Sequence, residues 1–125
     1  MERLDFFVKG SQGDTYQVTF EKAGAELCAY CRCKAGAKDG KSCKHRTDLM
    51  DGKIGNLLSG NVADVETLRG WMPGTALEAA YQRRGIAEKA YQRSKTEAAK
   101  AELDAARKNL DQVMYGRGGP TSEAA

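Results

Sequence analysis

The first third of the chain alternates polar and apolar positions, which is the period of a β-strand with one buried face. In residues 15–22, Tyr16, Val18 and Phe20 share one face, and polar side chains occupy the other. Two further strand-like segments flank this one across the turn-forming stretches "GSQGD" and "AGA". The pattern predicts an antiparallel meander of three strands, "RLDFFVK", "TYQVTFEK" and "ELCAYCRC".

The middle of the chain carries weaker signals. Residues 34–42 contain two glycines and no large apolar side chain, so they are predicted to form a loop. A short helix is expected over residues 43–50, closed by Asp51 and Gly52. The following "KIGNLLSG" is too short for its period to separate a strand from a helix.

The second half of the chain predicts helices. Asn61 is a candidate cap for a helix over "NVADVETLRGWM", which Pro73 and Gly74 end. Thr75 and Glu78 then form the pattern of a capping box. Strong helix formers fill the chain from there to residue 115, which predicts one long helix.

Glycines punctuate that long helix. Gly85 is its only internal interruption, and it marks either a corner or a cost of about 1 kcal/mol. Gly116 is a natural stop, and residues 116–125 are predicted to be disordered.

Composition and charge narrow the function classes only slightly. The net charge of +3 is too small by itself to indicate a nucleic-acid binder. No apolar run approaches the roughly 18 residues of a membrane span, and the N-terminus does not resemble a secretory signal. We therefore expect a cytoplasmic protein, or a nuclear one if the source is eukaryotic. Thiols stay reduced in those compartments, so four cysteines favour metal binding over disulfides.

Three of the four cysteines and the single histidine lie between residues 31 and 45. Cys31 and Cys33 are two residues apart on a predicted strand end, so their side chains leave the same face. Cys43 and His45 repeat this spacing after the flexible loop, which is long enough to fold one pair over the other. Four sulfur and nitrogen ligands with no open position are typical of structural Zn²⁺.

The charge around these ligands favours thiolates. The surrounding basic residues, against Asp39 alone, sum to +5, and positive charge lowers the pKa of a cysteine. These residues are Arg32, Lys34, Lys38, Lys41, Lys44 and Arg46. A structural zinc would also stabilise an N-terminal module that is otherwise too small to bury much surface.

Cys28 is the remaining cysteine, and "CAYC" is also a C-x-x-C pattern. The parity of a strand places Cys28 and Tyr30 on the face opposite Cys31 and Cys33. We interpret Cys28 as a small buried thiol in the core. A register in which Cys28 replaces one of the four ligands stays open.

The pattern C-x-C, then a loop, then C-x-H at a helix start resembles the SWIM zinc finger. The resemblance covers about residues 14–50, with "CRC" and "CKH" as the ligand pairs and two strands before them. SWIM domains are ββα modules that occur in transposase-like proteins, helicase-like ATPases, recombination accessory factors and ubiquitin-ligase-associated proteins. The resemblance implies that Cys31, Cys33, Cys43 and His45 ligate zinc. It also implies binding to nucleic acid or protein rather than catalysis.

Two binding functions follow as hypotheses. The first is nucleic-acid binding through the basic segment around the ligands and basic residues of the long helix. Tyr81 and Tyr91 lie among the helical cations and could stack on bases. Charge on a long helix is, however, also typical of a plain solvated face. The candidate contacts are Arg32, Lys34, Lys38, Lys41, Lys44, Arg46, Arg83, Arg84 and Arg93.

The second hypothesis is a protein-interaction module, either an adaptor or a small inhibitor of a larger complex. It rests on an apolar seam of alternating four- and three-residue spacing, which we call the α-seam: Ala99, Leu103, Ala106, Leu110 and Val113. The α-seam could form a homodimer through residues 99–113, or pack on the strands or on residues 54–72 of the same chain. An enzyme is not expected, because the metal site would be closed and no second histidine could act as a base.

Together these patterns predict an α+β fold: a small antiparallel β-sheet with a zinc knuckle and a short helix, followed by a helical C-terminal half. The expected regions are a SWIM-like zinc module over residues 1–53, a helical region with a long helix over residues 54–115, and a tail over residues 116–125. The predicted function is a non-catalytic zinc-binding module that binds nucleic acid or assists nucleic-acid-processing machinery.

Overall fold

The computed structural model of the chain describes residues 2–10, 13–32 and 44–115. The predicted loop, two of the predicted metal ligands and the C-terminal tail lie outside the described residues. Within them, a three-stranded antiparallel sheet is followed by four helices. The predicted α+β class with a helical C-terminal half is therefore confirmed.

The sheet is the predicted meander, with β1 at Glu2–Lys9, β2 at Thr15–Ala23 and β3 at Glu26–Cys31. The register pairs Phe6 with Val18 and Phe20 with Ala29. Directly paired residues of antiparallel strands share a face, so the alternating apolar positions of all three strands fall on one side. The rings of Phe6 and Phe20 meet edge to face there, with centroids 5.9 Å apart.

The outer edge of β1 is covered by residues 56–58 of the same chain. The Lys9 amide donates to the Asn56 carbonyl (2.8 Å), and the Leu58 amide donates to the Phe7 carbonyl (2.7 Å). A single antiparallel bridge joins Val8 to Leu57. The ambiguous "KIGNLLSG" thus forms neither a helix nor a full strand, and it satisfies backbone groups that an edge strand would otherwise expose.

The helices are α1 at Lys44–Met50, α2 at Val62–Trp71, α3 at Ala76–Ser94 and α4 at Glu97–Tyr115. Gly52, with φ of 81°, ends α1, and its amide donates to the Leu49 carbonyl at 3.0 Å. Positive φ favours glycine there. The expected short helix and its stop are both confirmed.

The two predicted N-caps have different outcomes. The Thr75 hydroxyl accepts a hydrogen bond from the Glu78 amide at 3.1 Å, so the α3 cap is confirmed. Asn61 makes no side-chain cap to α2. Its amide nitrogen instead donates to the Asp5 carbonyl and to the Asp64 carboxylate, both at 2.9 Å. Asn61 thus occupies the predicted N-cap position, but its side chain links α2 to the sheet instead of making a capping hydrogen bond.

The single long helix predicted beyond residue 75 was also wrong, because the structure divides it into α3 and α4. Gly85 lies inside α3, and the break falls at Lys95, which adopts a left-handed conformation with φ of 50°. The Lys95 amide caps α3 on the Tyr91 carbonyl (2.7 Å), and the Thr96 hydroxyl accepts from the Ala99 amide (3.1 Å). The two helices fold back on each other as an antiparallel hairpin, with Arg83 of α3 paired to Glu102 of α4.

Three of the five α-seam residues, Leu103, Ala106 and Leu110, are buried within the chain, whereas Ala99 and Val113 are partly exposed. Leu103 and Ala106 pack with Ala87 of α3 in a small cluster, while Leu110 joins the main core. The intrachain alternative is therefore the one observed, although the partners are α3 and the sheet core more than residues 54–72. The homodimer through residues 99–113 stays a prediction.

One core joins the two predicted regions. The main cluster contains Phe6 and Phe20 from the sheet, Leu49 from α1, and Leu68 and Leu110 from the helical half. The predicted division at residues 53 and 54 falls in the connection between α1 and α2, and residues from both sides of it pack in this one cluster.

Candidate metal centre

Cys31 is the last residue of β3 and is 4% exposed. Its register partner on β2 is Val18, and the amide of the next residue, Arg32, donates to the Gln17 carbonyl at 3.0 Å. Hydrogen bonds of the sheet thus hold the backbone around Cys31, including that of Arg32. The Cys31 side chain lies on the core face, in one cluster with Leu27 and Ala29.

His45 lies in the first turn of α1, at the edge of the core. Two residues of the same helix, Leu49 and Met50, are buried in the main cluster. Their burial brings the N-terminal end of α1 to the end of β3. The Cys31 sulfur and the His45 Nδ1 atom are 3.6 Å apart, although the residues are fourteen positions apart in the chain.

This separation fits two ligands of one tetrahedral zinc ion. With Zn–S of about 2.3 Å, Zn–N of about 2.0–2.1 Å and an angle of about 109°, the sulfur and the nitrogen lie about 3.6 Å apart. The same distance also fits a hydrogen bond between a thiol and an imidazole. The separation is therefore compatible with two ligands of one zinc ion and with a thiol–imidazole hydrogen bond.

The other two predicted ligands, Cys33 and Cys43, lie outside the described residues. They are the immediate chain neighbours of described residues: Cys33 follows Arg32, and Cys43 precedes Lys44. Within residues 2–10, 13–32 and 44–115, no group of three or more Cys, His, Asp or Glu side chains is arranged to hold a metal. The four-ligand centre stays a prediction.

Cys28 lies on the face of β3 opposite Cys31, as the strand parity predicts. It is fully buried and its register partner is Glu21, whereas Cys31 pairs with Val18 in the main core. Tyr30, on the same face as Cys28, contacts the ring of Tyr115 edge to face at 5.7 Å. The sheet therefore separates Cys28 from the Cys31–His45 pair, which supports its interpretation as a buried thiol.

Tyr16 is a neighbour of the pair that the ligand pattern did not identify. Its ring lies 5.5 Å from the His45 ring, and its hydroxyl donates to the Asp14 carboxylate at 3.1 Å. A Cβ atom at Gly10 would collide with the Tyr16 ring, so the glycine admits the ring at this position. The alternation of β2 places Tyr16 on the core face, which is the signal that could have identified it.

Arg46 is the clearest correction among the predicted nucleic-acid contacts. It is fully buried, and its Nη1 atom donates to the Ala29 carbonyl at 3.1 Å. Its Nη2 atom lies 3.9 Å from the Asp111 carboxylate of α4. A side chain in this position cannot reach a phosphate. The helical spacing of Arg46 with Leu49 and Met50 was a signal that it faces the core.

Two of the arginines on α3 that were predicted to contact nucleic acid form ion pairs within the chain. The Arg83 guanidinium donates to Glu102 at 3.0 and 3.2 Å, and this hydrogen bond lowers the pKa of the Glu102 carboxyl. Arg84 pairs with Glu88 one turn along α3, at 3.1 Å. Arg93 is exposed in the last turn of α3. The structure gathers none of these three with the metal centre.

The remaining predicted contacts are close to Cys31 and His45 in the sequence. Arg32 and Lys44 are exposed at the two ends of the segment between Cys31 and His45. Lys34, Lys38 and Lys41 fall within that segment and lie outside the described residues. The described part of the chain thus carries two exposed cations directly beside the Cys31–His45 pair.

A Cys–His pair can also act as a nucleophile and its base. The burial of Cys31 argues against that role, because a substrate must reach the sulfur.

Among the described residues, no helix combines the length and the apolar character needed to cross a membrane.

Comparison with protein-family models, with curated proteins and with solved structures gives no match.

Proposed function

We propose that the chain is a non-catalytic zinc-binding module whose basic metal centre contacts nucleic acid. Cys31, Cys33, Cys43 and His45 hold a structural Zn²⁺, which fixes the end of β3 to the start of α1. The observation that carries the proposal is the 3.6 Å separation of the Cys31 sulfur and the His45 Nδ1 atom. The C-x-C and C-x-H spacing supplies the two further thiolates at the adjoining positions.

The metal has a structural role in this proposal. It closes the segment between residues 31 and 45 and needs no vacant coordination position. Three thiolates and Zn²⁺ together carry a net charge of about −1, which the surrounding cations more than balance. The surface presented to a partner is therefore positive.

The nucleic-acid surface is confined to the metal centre. Arg32 and Lys44 support this assignment because both are exposed beside the Cys31–His45 pair. Lys34, Lys38 and Lys41 add three cations in the intervening sequence. Such a cluster binds phosphates with little dependence on base sequence. Arg46 and the paired Arg83 and Arg84 contribute no contacts.

The first part of the test measures the metal. We expect about one zinc per chain in the wild type, and markedly less in Cys31→Ala and His45→Ala. Cys28→Ala is the matched control, since it removes a buried sulfur from the other face of β3 and should keep its zinc. Zinc content is read by elemental analysis after dialysis. A wild type without stoichiometric metal would end the proposal, and loss of zinc in Cys28→Ala alone would assign that residue as a ligand instead.

The second part of the test measures nucleic-acid binding of the zinc-loaded protein. We expect the affinity for single- and double-stranded DNA and RNA to fall steeply with salt, with a log–log slope of about 0.7–0.9 for each phosphate contacted. Arg32→Gln combined with Lys44→Gln should reduce that slope by roughly two. Lys100→Gln with Lys108→Gln makes the same charge change at exposed positions of α4 and should leave the slope unchanged.

A protein-interaction module is the second candidate, and two observations favour it. Phe7 (43% exposed) and Leu58 (53% exposed) are paired across the covered edge of β1, so their side chains share one face. A cavity of about 410 Å³ also lies beside His45, with Val8, Leu49 and Leu57 among its walls. Failure of all four nucleic acids to bind at low salt would favour this candidate.

A further inference from the structure

The side chain of Arg46 joins the two elements that carry the described metal ligands. Arg46 follows His45 in α1, and its Nη1 atom donates to the carbonyl of Ala29, two residues before Cys31 on β3. The guanidinium is fully buried. One planar, always-charged group thus ties the helix that carries the imidazole to the strand that carries the sulfur.

The same guanidinium also contacts the C-terminal helix. Its Nη2 atom lies 3.9 Å from the Asp111 Oδ1 atom on α4. A buried guanidinium is strongly unfavourable when a charged partner is removed, because the remaining charge cannot return to water. The position of Arg46, and with it the orientation of α1, therefore depends on a carboxylate far along the chain.

The short length of α1 makes this dependence important. A helix of seven residues is not stable alone, so its orientation is set by the side chains that anchor it. Leu49 and Met50 anchor it through apolar packing, which is non-directional. Arg46 supplies the directional contact. A zinc ligand must reach its position within about 0.2 Å, so a loosened α1 would weaken metal binding.

We propose that Arg46 and Asp111 are positioning residues of the metal centre, through which α4 sets its metal affinity. This inference rests on the proposed zinc site. It assigns to the C-terminal hairpin a role beyond packing: the helix that ends at Tyr115 holds the histidine side of the centre in place.

The test compares zinc affinities by competition with a chromophoric chelator. We expect Asp111→Asn to bind zinc about 10-fold more weakly than the wild type, as is usual when the support of a ligand is lost. Arg46→Gln should lose at least as much, because it also removes the hydrogen bond to the Ala29 carbonyl. The double variant should lose no more than Arg46→Gln alone, since Asp111 acts through Arg46. If Arg46→Gln fails to fold, Asp111→Asn alone decides the question.

Two controls separate positioning from general stability. Asp104→Asn removes a carboxylate from an exposed position of α4, seven residues before Asp111, and should bind zinc as the wild type does. Leu103→Ala destabilises the hairpin in the small cluster with Ala87, away from Arg46, and should change zinc affinity less than Asp111→Asn. The absorption spectrum of the Co²⁺-substituted protein should change in Asp111→Asn and stay unchanged in Leu103→Ala, since only the former alters the ligand geometry.

The results distinguish failure of the positioning role of Arg46 and Asp111 from failure of the proposed zinc site. A wild type that binds no zinc overturns both. A wild type that binds zinc, with Asp111→Asn equal to it in affinity and Co²⁺ spectrum, overturns only the positioning role. An affinity loss in Leu103→Ala as large as that in Asp111→Asn would mean that any weakening of the hairpin has the same effect, and it would also overturn the inference.

Discussion

Basic residues that are close together in the sequence have quite different environments in this protein. Arg46 and Lys44 are two positions apart in α1, yet Arg46 is fully buried and Lys44 is exposed. Counting both toward one basic surface was an error for Arg46. A helix of 3.6 residues per turn places position 46 with Leu49 and Met50, toward the core.

Asp5 shows how one carboxylate organises the outer face of the sheet. Arg3 donates to both of its oxygens at 2.9 and 3.1 Å, and Thr19 (2.7 Å) and Gln17 (3.1 Å) donate to Oδ1. Partial burial acts to raise the pKa of Asp5, but these hydrogen bonds and the Arg3 charge outweigh it. The pKa therefore lies below its ordinary value of 3.8.

The lowered pKa of Asp5 predicts a specific pH dependence of stability. A depressed pKa stabilises the folded state above the unfolded-state value of 3.8, and this stabilisation is lost as the pH falls through the folded-state pKa. We expect Asp5→Asn to lower the free energy of unfolding by about 0.5–1 kcal/mol at pH values above about 5, because the site is partly solvated. The deficit relative to the wild type should shrink toward about pH 2.

Urea unfolding of both chains at matched pH measures this deficit, and the comparison cancels the effect of pH on any bound metal. Asp104→Asn serves as the control for removing an exposed carboxylate. A deficit that grows as the pH falls would contradict the assignment.

Among the secondary-structure elements, the break between α3 and α4 is the largest difference between the predicted and the observed fold. Residues 75–115 have the composition of one helix, and Gly85 attracts attention as its weak point. The helix nevertheless passes Gly85 and ends at Ser94, with Lys95 as its C-cap, and Thr96 in the next position caps a new helix. Thr96 is a residue type that favours the N-cap of a helix, so a local signal for the break was present. The composition of the segment alone did not distinguish this threonine from one inside a helix.

Glycine substitutions at two lysines test this break. Lys95 has a positive φ that costs a non-glycine residue roughly 1 kcal/mol, so Lys95→Gly should raise the free energy of unfolding by about 0.5 kcal/mol after the added entropy of the unfolded chain. Lys89→Gly, at an exposed position inside α3, should lower it by about 1 kcal/mol. Chemical denaturation followed by circular dichroism measures both. Equal losses at the two positions would instead indicate one continuous helix.

The edge of β1 is an element that only the assembled fold defines. Residues 56–58 lack a clear period, and their contact with β1 needs α1 and the turn at Gly52 to return the chain to that edge. Phe7 and Leu58 are left exposed side by side as a result.

Across the whole molecule, the sheet and the helical half form one packed unit. Leu110 of α4 lies in the same core as Phe6 and Phe20 of the sheet, whereas Leu103 lies in the separate small cluster near the end of the hairpin. The predicted boundary after residue 53 therefore falls in a connection between two helices that share one core.

Two truncations in α4 test this shared core. Leu110→Ala should lower the stability by about 2–5 kcal/mol, and it should reduce the hydrogen-exchange protection of β2 and of α4 by similar amounts. Leu103→Ala should reduce protection mainly in the hairpin around Lys95. Native-state hydrogen exchange resolves the elements separately. Loss of protection in the helices alone after Leu110→Ala would show that residues 1–53 and 54–115 are independent.

The sequence alone determined the features that depend on near neighbours along the chain. The alternation around Val18 is enough for a strand, Thr75 with Glu78 for a helix start, and Gly52 for a helix stop, because each is decided within a few residues. The paired spacing of the cysteines and His45 likewise indicates a candidate zinc site without any knowledge of the fold.

Only the tertiary structure decided which distant segments meet. It brought His45 to Cys31, buried Arg46 between β3 and α4, and folded Leu103 and Ala106 of the α-seam against α3. The physical reason is that burial is a property of the whole packed chain. The period of a helix indicates which of its faces is apolar. Which segment covers that face depends on the path of the whole chain between the helix and that segment.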